Sequence, residues 1–507
     1  MKIALSRRSL LQSAAFTLAT TRTNALPAAT KTQPNILLIT MDELRPDVFS
    51  CLGNKYISTP NIDALAKRGT FFTRTYCQGP LCQPARASLI TGEYVKQTGQ
   101  SWNRKDMNPE WPTMMKALQG AGYFTAMVGK THFAGSWGPA RIAPDRIDLR
   151  SMTPWSKKFG LDYLLEEFDH FLHKVPHVIT PYTEYLKSKG LLEAYLEEVP
   201  DFFHMRTPEQ REALWTGRAS KLSEEDQLSS FVGNEAIDWI RNYKGDKPFF
   251  LWVSFIEPHP PLTVATRWFE KYRHADIPTG TRKLPEMPDN AWGRYLHEWT
   301  TTTNSALMTD ADALQMARAY YGLVAQVDAK IGDVVRTLDE SGYGKNTWIV
   351  FSADHGEMLA HHNLVYKNVF FRGAVEVPNI IVPPGGMRSK RVNDLVQSID
   401  ITQTIVDMGR AKLPTSKGQS LVPLIGGSGR SREVVHSELA GLMGKSDYFV
   451  MAATSRYRYT YDRLNKLSCE LYDLQIDPGE MHNLIEEPRY RGIAQDMFKD
   501  YVQPFMT

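Results

Sequence analysis

Side chains that hold hard cations or move protons recur at the ends of short apolar runs in this sequence. The run at 35–40 (Asn-Ile-Leu-Leu-Ile-Thr) leads into Asp42 and Glu43, and the run at 124–128 into Lys130 and His132. The run at 249–256 leads into His259, and that at 348–352 into Asp354 and His355. Short uninterrupted apolar runs mark strands buried on both faces. Ligands of open α/β sheets bind beyond the carboxyl ends of such strands. Asp42, Glu43 and Asp354 offer the several oxygens that Ca²⁺ or Mg²⁺ requires, and His355 adds a nitrogen. The chain has no Cys/His cluster of the kind that builds a structural zinc site. Any one of these acids alone reads as a helix cap or a solvated turn; four runs ending alike read as one site.

A second centre lies in Cys82-Gln83-Pro84-Ala85-Arg86, followed by Thr91-Gly92. Pro84 suits the first turn of a helix, where its missing N–H is not needed, and Gly92 suits its end. Cys82 then stands at a helix N-terminus, where backbone N–H groups favour negative charge. Arg86 can fold back towards the same spot. The chemistry is that of an anionic nucleophile or an anionic substrate; the plainer reading is a capped helix beside a buried cysteine.

Helical patterns separate the strands. Residues 112–118 end at Gly120 and Gly122, residues 231–243 carry Phe231, Ile237 and Ile240 on one face, and residues 313–338 space Tyr320, Leu323, Val327, Ile331 and Val334 by three or four. Alternating strands and helices imply a large α/β/α sandwich with a mostly parallel central sheet. The stretches 138–230 and 260–305 read as insertions on the loop edge of that sheet. After about 430, short runs at 434–436, 448–452, 457–461 and 470–474 imply a small C-terminal α+β domain with an antiparallel sheet. The organisation expected is therefore a signal at 1–29, a catalytic domain at 34–429 and a C-terminal domain at 430–507.

Composition narrows the class further. The 507 residues are 42% hydrophobic and 23% charged, with 59 Lys and Arg against 56 Asp and Glu, a net +3. That is a globular balance and too weakly basic for a nucleic-acid binder. Arg7-Arg8-Ser9-Leu10-Leu11, a weakly apolar stretch over 10–19 and small residues around Pro27 form an export signal of the twin-arginine type. The apolar stretch is too short to span a bilayer. A cleaved protein of the periplasm or exterior, with no stable membrane insertion, is expected.

In order and spacing, these motifs resemble those of the type I, formylglycine-dependent sulfatases of the alkaline-phosphatase superfamily. The resemblance is carried by Asp42-Glu43, Cys82-x-Pro84-x-Arg86, Gly129-Lys130-Thr131-His132, Pro258-His259-Pro260, Asp354-His355-Gly356-Glu357 and Lys367. The C-terminal pattern Glu470-Leu471-Tyr472-Asp473-Leu474 with Asp477-Pro478 and Asn483-Leu484 is similar too. The resemblance runs over about 34–487 and implies that Cys82 is oxidised to formylglycine, whose hydrate attacks sulfur. It implies Asp42, Glu43, Cys82, Asp354 and His355 as ligands of one divalent cation, Ca²⁺ before Mg²⁺. Arg86, Lys130 and Lys367 would neutralise the sulfate and the hydrate. His259, with Lys367, would protonate the leaving alcohol, and His132 would deprotonate the second hydroxyl. Lys130, His259 and Lys367 thereby also bind substrate, joined by Asn103 and Arg104 after the motif helix. Glu43 stands where the family usually has Asp, and His355 where Asn is commoner. His361 and His362 read as exposed loop histidines, with a substrate contact as the alternative. A Cys51–Cys469 bridge stays open.

The partners implied are a sulfated carbohydrate, a formylglycine-generating enzyme and the twin-arginine export machinery. Export, two polar-aromatic insertions and the lack of a hydrophobic lid favour a sulfated sugar. The alternatives are an arylsulfatase, a phosphonate monoester hydrolase or phosphodiesterase, and a non-catalytic glycan-binding protein. The last is expected to have lost the nucleophile or the lysines, and this chain keeps them.

Overall fold

The computed structural model describes residues 33–103, 105–135, 147–173, 178–200, 215–429, 431–441 and 446–507. The expected export signal at 1–29 and Arg104 lie outside the described residues.

The main sheet is built from β1 (Asn35–Met41), β2 (Thr70–Tyr76), β3 (Phe124–Lys130), β4 (Tyr163–Glu167), β5 (Phe249–Phe255), β6 (Thr347–Ala353), β7 (Glu376–Val382), β8 (Lys390–Val392) and β9 (Val396–Gln397). Its order is β8-β2-β7-β6-β1-β5-β3-β4, with β9 beside β2. The five strands from β6 to β4 are mutually parallel. β7 runs antiparallel to β6 and β2. All seven residues of β1 are buried. Leu37, Ile39 and Met41 enter one core, Ile36 and Leu38 the other, as the two-residue period of a strand demands. The helices Leu228–Asn242 and Asp310–Glu340 cover the first face. The helices Cys82–Thr91, Met114–Gly120 and Ser398–Met408 cover the second. This is the three-layer sandwich expected from the alternation. Thr309 and Asp312 start the long helix with reciprocal side-chain to backbone hydrogen bonds, which fixes its first turn.

The stretch 138–230 is more than an insertion: it contributes β4, the edge strand beyond β3. At the C-terminus β10 (Val435–Ala440), β11 (Tyr448–Ala453), β12 (Tyr457–Asp462) and β13 (Leu467–Asp473) form an antiparallel meander. Val435, Leu439, Phe449, Met451 and Tyr472 join the core of the large sheet's first face. Val450, Ala452, Tyr459 and Tyr461 face the chain end through Ala494, Met497 and Val502. The C-terminal sheet is thus clamped between the main body and its own last helices. All four cysteines are free, so no Cys51–Cys469 bridge forms. No helix among the described residues is long and apolar enough to cross a membrane.

Candidate active site

The carboxyl edge of the parallel strands carries the site. Met41 pairs in register with Ala353 of β6 and Phe255 of β5, so Asp42, Asp354 and the segment to His259 leave the sheet side by side. Cys82 is the first residue of its helix, after an extended Leu81. Gly92 closes that helix at φ +72°, its N–H donating to the Ser88 carbonyl; a Cβ there would lie 2.3 Å from Ser416 Oγ. Gly129 is equally constrained: at φ +104° a Cβ would lie 2.1 Å from the Ser254 carbonyl oxygen. β3 stops at Lys130, and His132 takes a left-handed conformation (φ +54°). Strand alternation therefore does not extend to His132; a turn carries it into the site instead.

Arg86 is fully buried and ties the site together. Its Nε donates to Asp354 Oδ2 (2.9 Å), Nη2 to Asp42 Oδ2 (3.1 Å), and Nη1 to the Lys130 carbonyl (2.7 Å) and Ser254 Oγ (3.0 Å). Cys82 Sγ lies 3.2 Å from His355 Nε2 and 3.8 Å from Asp42 Oδ1. Asp42, Cys82, Asp354 and His355 each present a donor atom within 4.8 Å of the others. Glu43 departs from this group and clusters with Asp42 and His259 instead. Its Oε2 is 2.5 Å from Lys367 Nζ and 3.3 Å from His259 Nε2, while its Oε1 is buried with no hydrogen-bond partner. Two or three carboxylates, an imidazole nitrogen and an orphaned buried carboxylate oxygen fit a divalent cation that wants mainly oxygen ligands.

The electrostatics follow from burial and neighbours. Burial works to raise Asp42, but Lys130, His259 and Arg86 hold it well below the usual carboxylate range. Glu43 is pushed well above that range by burial, reinforced by Glu357 against the opposing Lys367. Burial works to lower Lys130, and Asp169 and Asp42 more than reverse it. Burial and Lys130 depress His132 to about 3; burial and Lys367 hold His259 well below the usual histidine range. Burial and Asp42 push the Cys82 thiol up. A buried neutral thiol is a poor nucleophile.

Three participants escaped the sequence reading. Asp169, just beyond β4, pairs with Lys130. Ser254 holds Arg86. Gln83 lies wholly buried behind Cys82. Asn103 accepts a hydrogen bond from the Gln83 backbone N–H at 2.9 Å, which places it at the head of the motif helix. His362 is buried and stacked on Phe371 at 4.2 Å, and His361 is half-buried. They are packing groups rather than exposed loop histidines.

The comparisons give this α/β sandwich and its site a class. The sulfatase profile matches residues 34–410. A profile for the C-terminal region of N-sulphoglucosamine sulphohydrolase matches 360–504. The chain is 28% identical over 488 residues to an arylsulfatase of Clostridium perfringens, covering 90% of this chain and 92% of that one. It is 26% identical over 474 residues to an ulvan-active sulfatase of Formosa agariphila, covering 92% and 80%. Its fold matches that of the phosphonate monoester hydrolase of Agrobacterium radiobacter with a TM-score of 0.72 at 23% identity, over 93% and 95% of the two chains. The chain belongs to the sulfatase family of sulfuric ester hydrolases.

Proposed function

We propose that this enzyme removes sulfate from a sulfated carbohydrate, with Cys82 converted to formylglycine. The observation that carries the reading is the placement of Cys82: a fully buried side chain 3.2 Å from His355 and 3.8 Å from Asp42, among residues that could hold a cation. An aldehyde at this position supplies, as its hydrate, an oxygen nucleophile and a built-in route for releasing sulfate. Asp42, position 82, Asp354 and His355, with Glu43 beside them, would hold the divalent cation, whose contribution is Lewis-acid polarisation of the ester and the nucleophile.

The chain's own groups divide the remaining work. Arg86 fixes the two carboxylates at the head of the motif helix. Lys130 and Lys367 place ammonium charge where sulfate oxygens arrive, which stabilises charge in a site shielded from water. Neutral His132 is ready to accept a proton from the nucleophile side. Burial and Lys367 disfavour the charged form of His259. An arriving sulfate monoester anion offsets the Lys367 charge and so favours the protonated imidazole that the leaving alcohol needs. Asn103 and Arg104 lie on the segment assigned to the sugar.

Support for the sugar comes from the ulvan-active relative and from the two polar-aromatic insertions. The arylsulfatase relative and the phosphonate-hydrolase fold define the competing substrates. A release assay over defined sulfated saccharides, 4-nitrophenyl sulfate and phenyl phosphonates separates the three. Sulfate release from a saccharide at the highest kcat/KM is expected; fast aryl or phosphonate turnover with no desulfated sugar overturns the carbohydrate assignment. We place the protein outside the cytoplasm on the residues at 1–29; replacing Arg7 and Arg8 by Lys is expected to strand it inside, and unchanged export contradicts that placement.

A further inference from the structure

We propose that Gln83 is a positioning residue that sets His132 and Asn103 against Cys82. The inference rests on the sulfatase reading above and concerns a side chain that the motif Cys82-x-Pro84-x-Arg86 leaves unspecified.

Gln83 is fully buried on the motif helix. Its Nε2 faces three backbone carbonyls: Ala134 at 2.9 Å, Lys105 at 3.1 Å and His132 at 3.2 Å. Its Oε1 faces Gln100 Nε2 at 3.2 Å, and the two hydrogens of that nitrogen are shared with the Trp102 and Lys105 carbonyls, at 2.9 and 2.8 Å. The orientation of both amides is dictated by chemistry. Carbonyls only accept, so the nitrogen of each glutamine must face them, and the remaining oxygen of Gln83 faces the Gln100 nitrogen. The Gln83 backbone N–H, an orphan donor of the helix's first turn, is taken by Asn103 Oδ1 at 2.9 Å.

One residue therefore joins three segments: the helix that carries Cys82, the turn that carries His132 and the loop 100–105 that carries Asn103. The joint at His132 matters most. A non-glycine residue at φ +54° occupies a sparsely populated region and persists only where its surroundings hold it. Gln83 Nε2, whose two hydrogens are shared among the Ala134, Lys105 and His132 carbonyls, supplies part of such a hold. Neither an aliphatic side chain nor a carboxylate reproduces it: the first has no donor, and the second sets oxygen against three carbonyl oxygens. Displacing a reacting group by about 1 Å costs about 100-fold in rate, so loosening this joint acts on kcat more than on KM.

Gln83→Met keeps length and volume and removes both polar atoms. The test is a double-mutant cycle of Gln83→Met with His132→Ala, assayed on 4-nitrophenyl sulfate. Rates are normalised to formylglycine content by mass spectrometry, with thermal midpoints recorded. Gln83→Met alone is expected to lower kcat about tenfold with KM within about twofold. In the His132→Ala background the same substitution is expected to cost less than about twofold, because residues acting through one another are not additive. Normalised kcat within twofold of the parent overturns the proposal and assigns Gln83 to folding or to recognition during modification. Equal losses in both backgrounds overturn it as well. A parent enzyme with no sulfatase activity would instead sink the functional reading on which the proposal stands.

Discussion

Replacing Asp169 by Asn isolates one charge at the site without touching the motif helix. Lys130 is completely buried and faces two carboxylates, Asp42 and Asp169, the latter with a side chain only 12% exposed. Unit charges about 4 Å apart interact by ~4 kcal/mol at an effective dielectric of about 20. Deleting one partner of a buried pair costs ~3–5 kcal/mol; Asp42 remains with Lys130, so the lower end, ~3 kcal/mol, is expected. The pH dependence has a definite sign. Burial works to raise Asp169, but Lys130 and His259 hold it below its ordinary value. Its contribution is then fully present above the unfolded value of about 4 and is lost as pH falls through the lower folded value. Urea unfolding of parent and variant should differ by ~3 kcal/mol at pH 7, with the gap closing below about pH 4. The ammonium, left with Asp42 alone, is also drawn out of place, and kcat/KM should fall about 10- to 100-fold. A stability difference under about 0.5 kcal/mol at pH 7, the ordinary scatter of surface substitutions, refutes the reasoning, and so does a gap that widens in acid.

Lys367→Ala should lower kcat/KM by at least about 100-fold while the far-UV spectrum stays that of the parent; unchanged turnover removes Lys367 from the site. Chelation should reduce both the thermal midpoint and activity, and Ca²⁺ should restore both, since an ion at about 100 times its dissociation constant adds ~2.7 kcal/mol. A midpoint indifferent to chelation and re-addition contradicts a resident cation. Gly129→Ala should destabilise by at least ~2 kcal/mol in urea, because the new Cβ would meet the Ser254 carbonyl at 2.1 Å in a left-handed backbone; a neutral result would show that β3 has room to shift.

Much of the site was legible because parallel strands advertise themselves. Residues buried on both faces must be continuously apolar, so β1, β3, β5 and β6 stand out, and their carboxyl ends point to Asp42, Lys130, His259 and Asp354. The long helix was equally readable from its spacing, and its capping pair Thr309 and Asp312 extends it three residues earlier than the apolar pattern alone. The C-terminal meander emerged from turn-separated runs within a few residues of their observed ends. What stayed hidden has physical causes. β4 is an edge strand of five residues, Tyr-Leu-Leu-Glu-Glu, whose acids look like a surface loop; Asp169 vanished with it. β2 (Thr-Phe-Phe-Thr-Arg-Thr-Tyr) interrupts its aromatic residues with Thr and Arg, and β7 is broken by Pro378 at a register shift. Glu43, set apart from the Asp42, Cys82, Asp354 and His355 group, has a left-handed backbone (φ +62°), which no spacing rule announces for a glutamate. Gln83 is polar and buried, and nothing in the sequence distinguishes it from an exposed helix residue.

Peptide mass spectrometry of the Cys82 segment, from enzyme purified from its own host and matched to turnover on a sulfated saccharide, tests the central claim most directly. The account requires an aldehyde in place of the thiol, with specific activity proportional to the converted fraction. Rapid desulfation by protein that carries only cysteine at position 82 would contradict it.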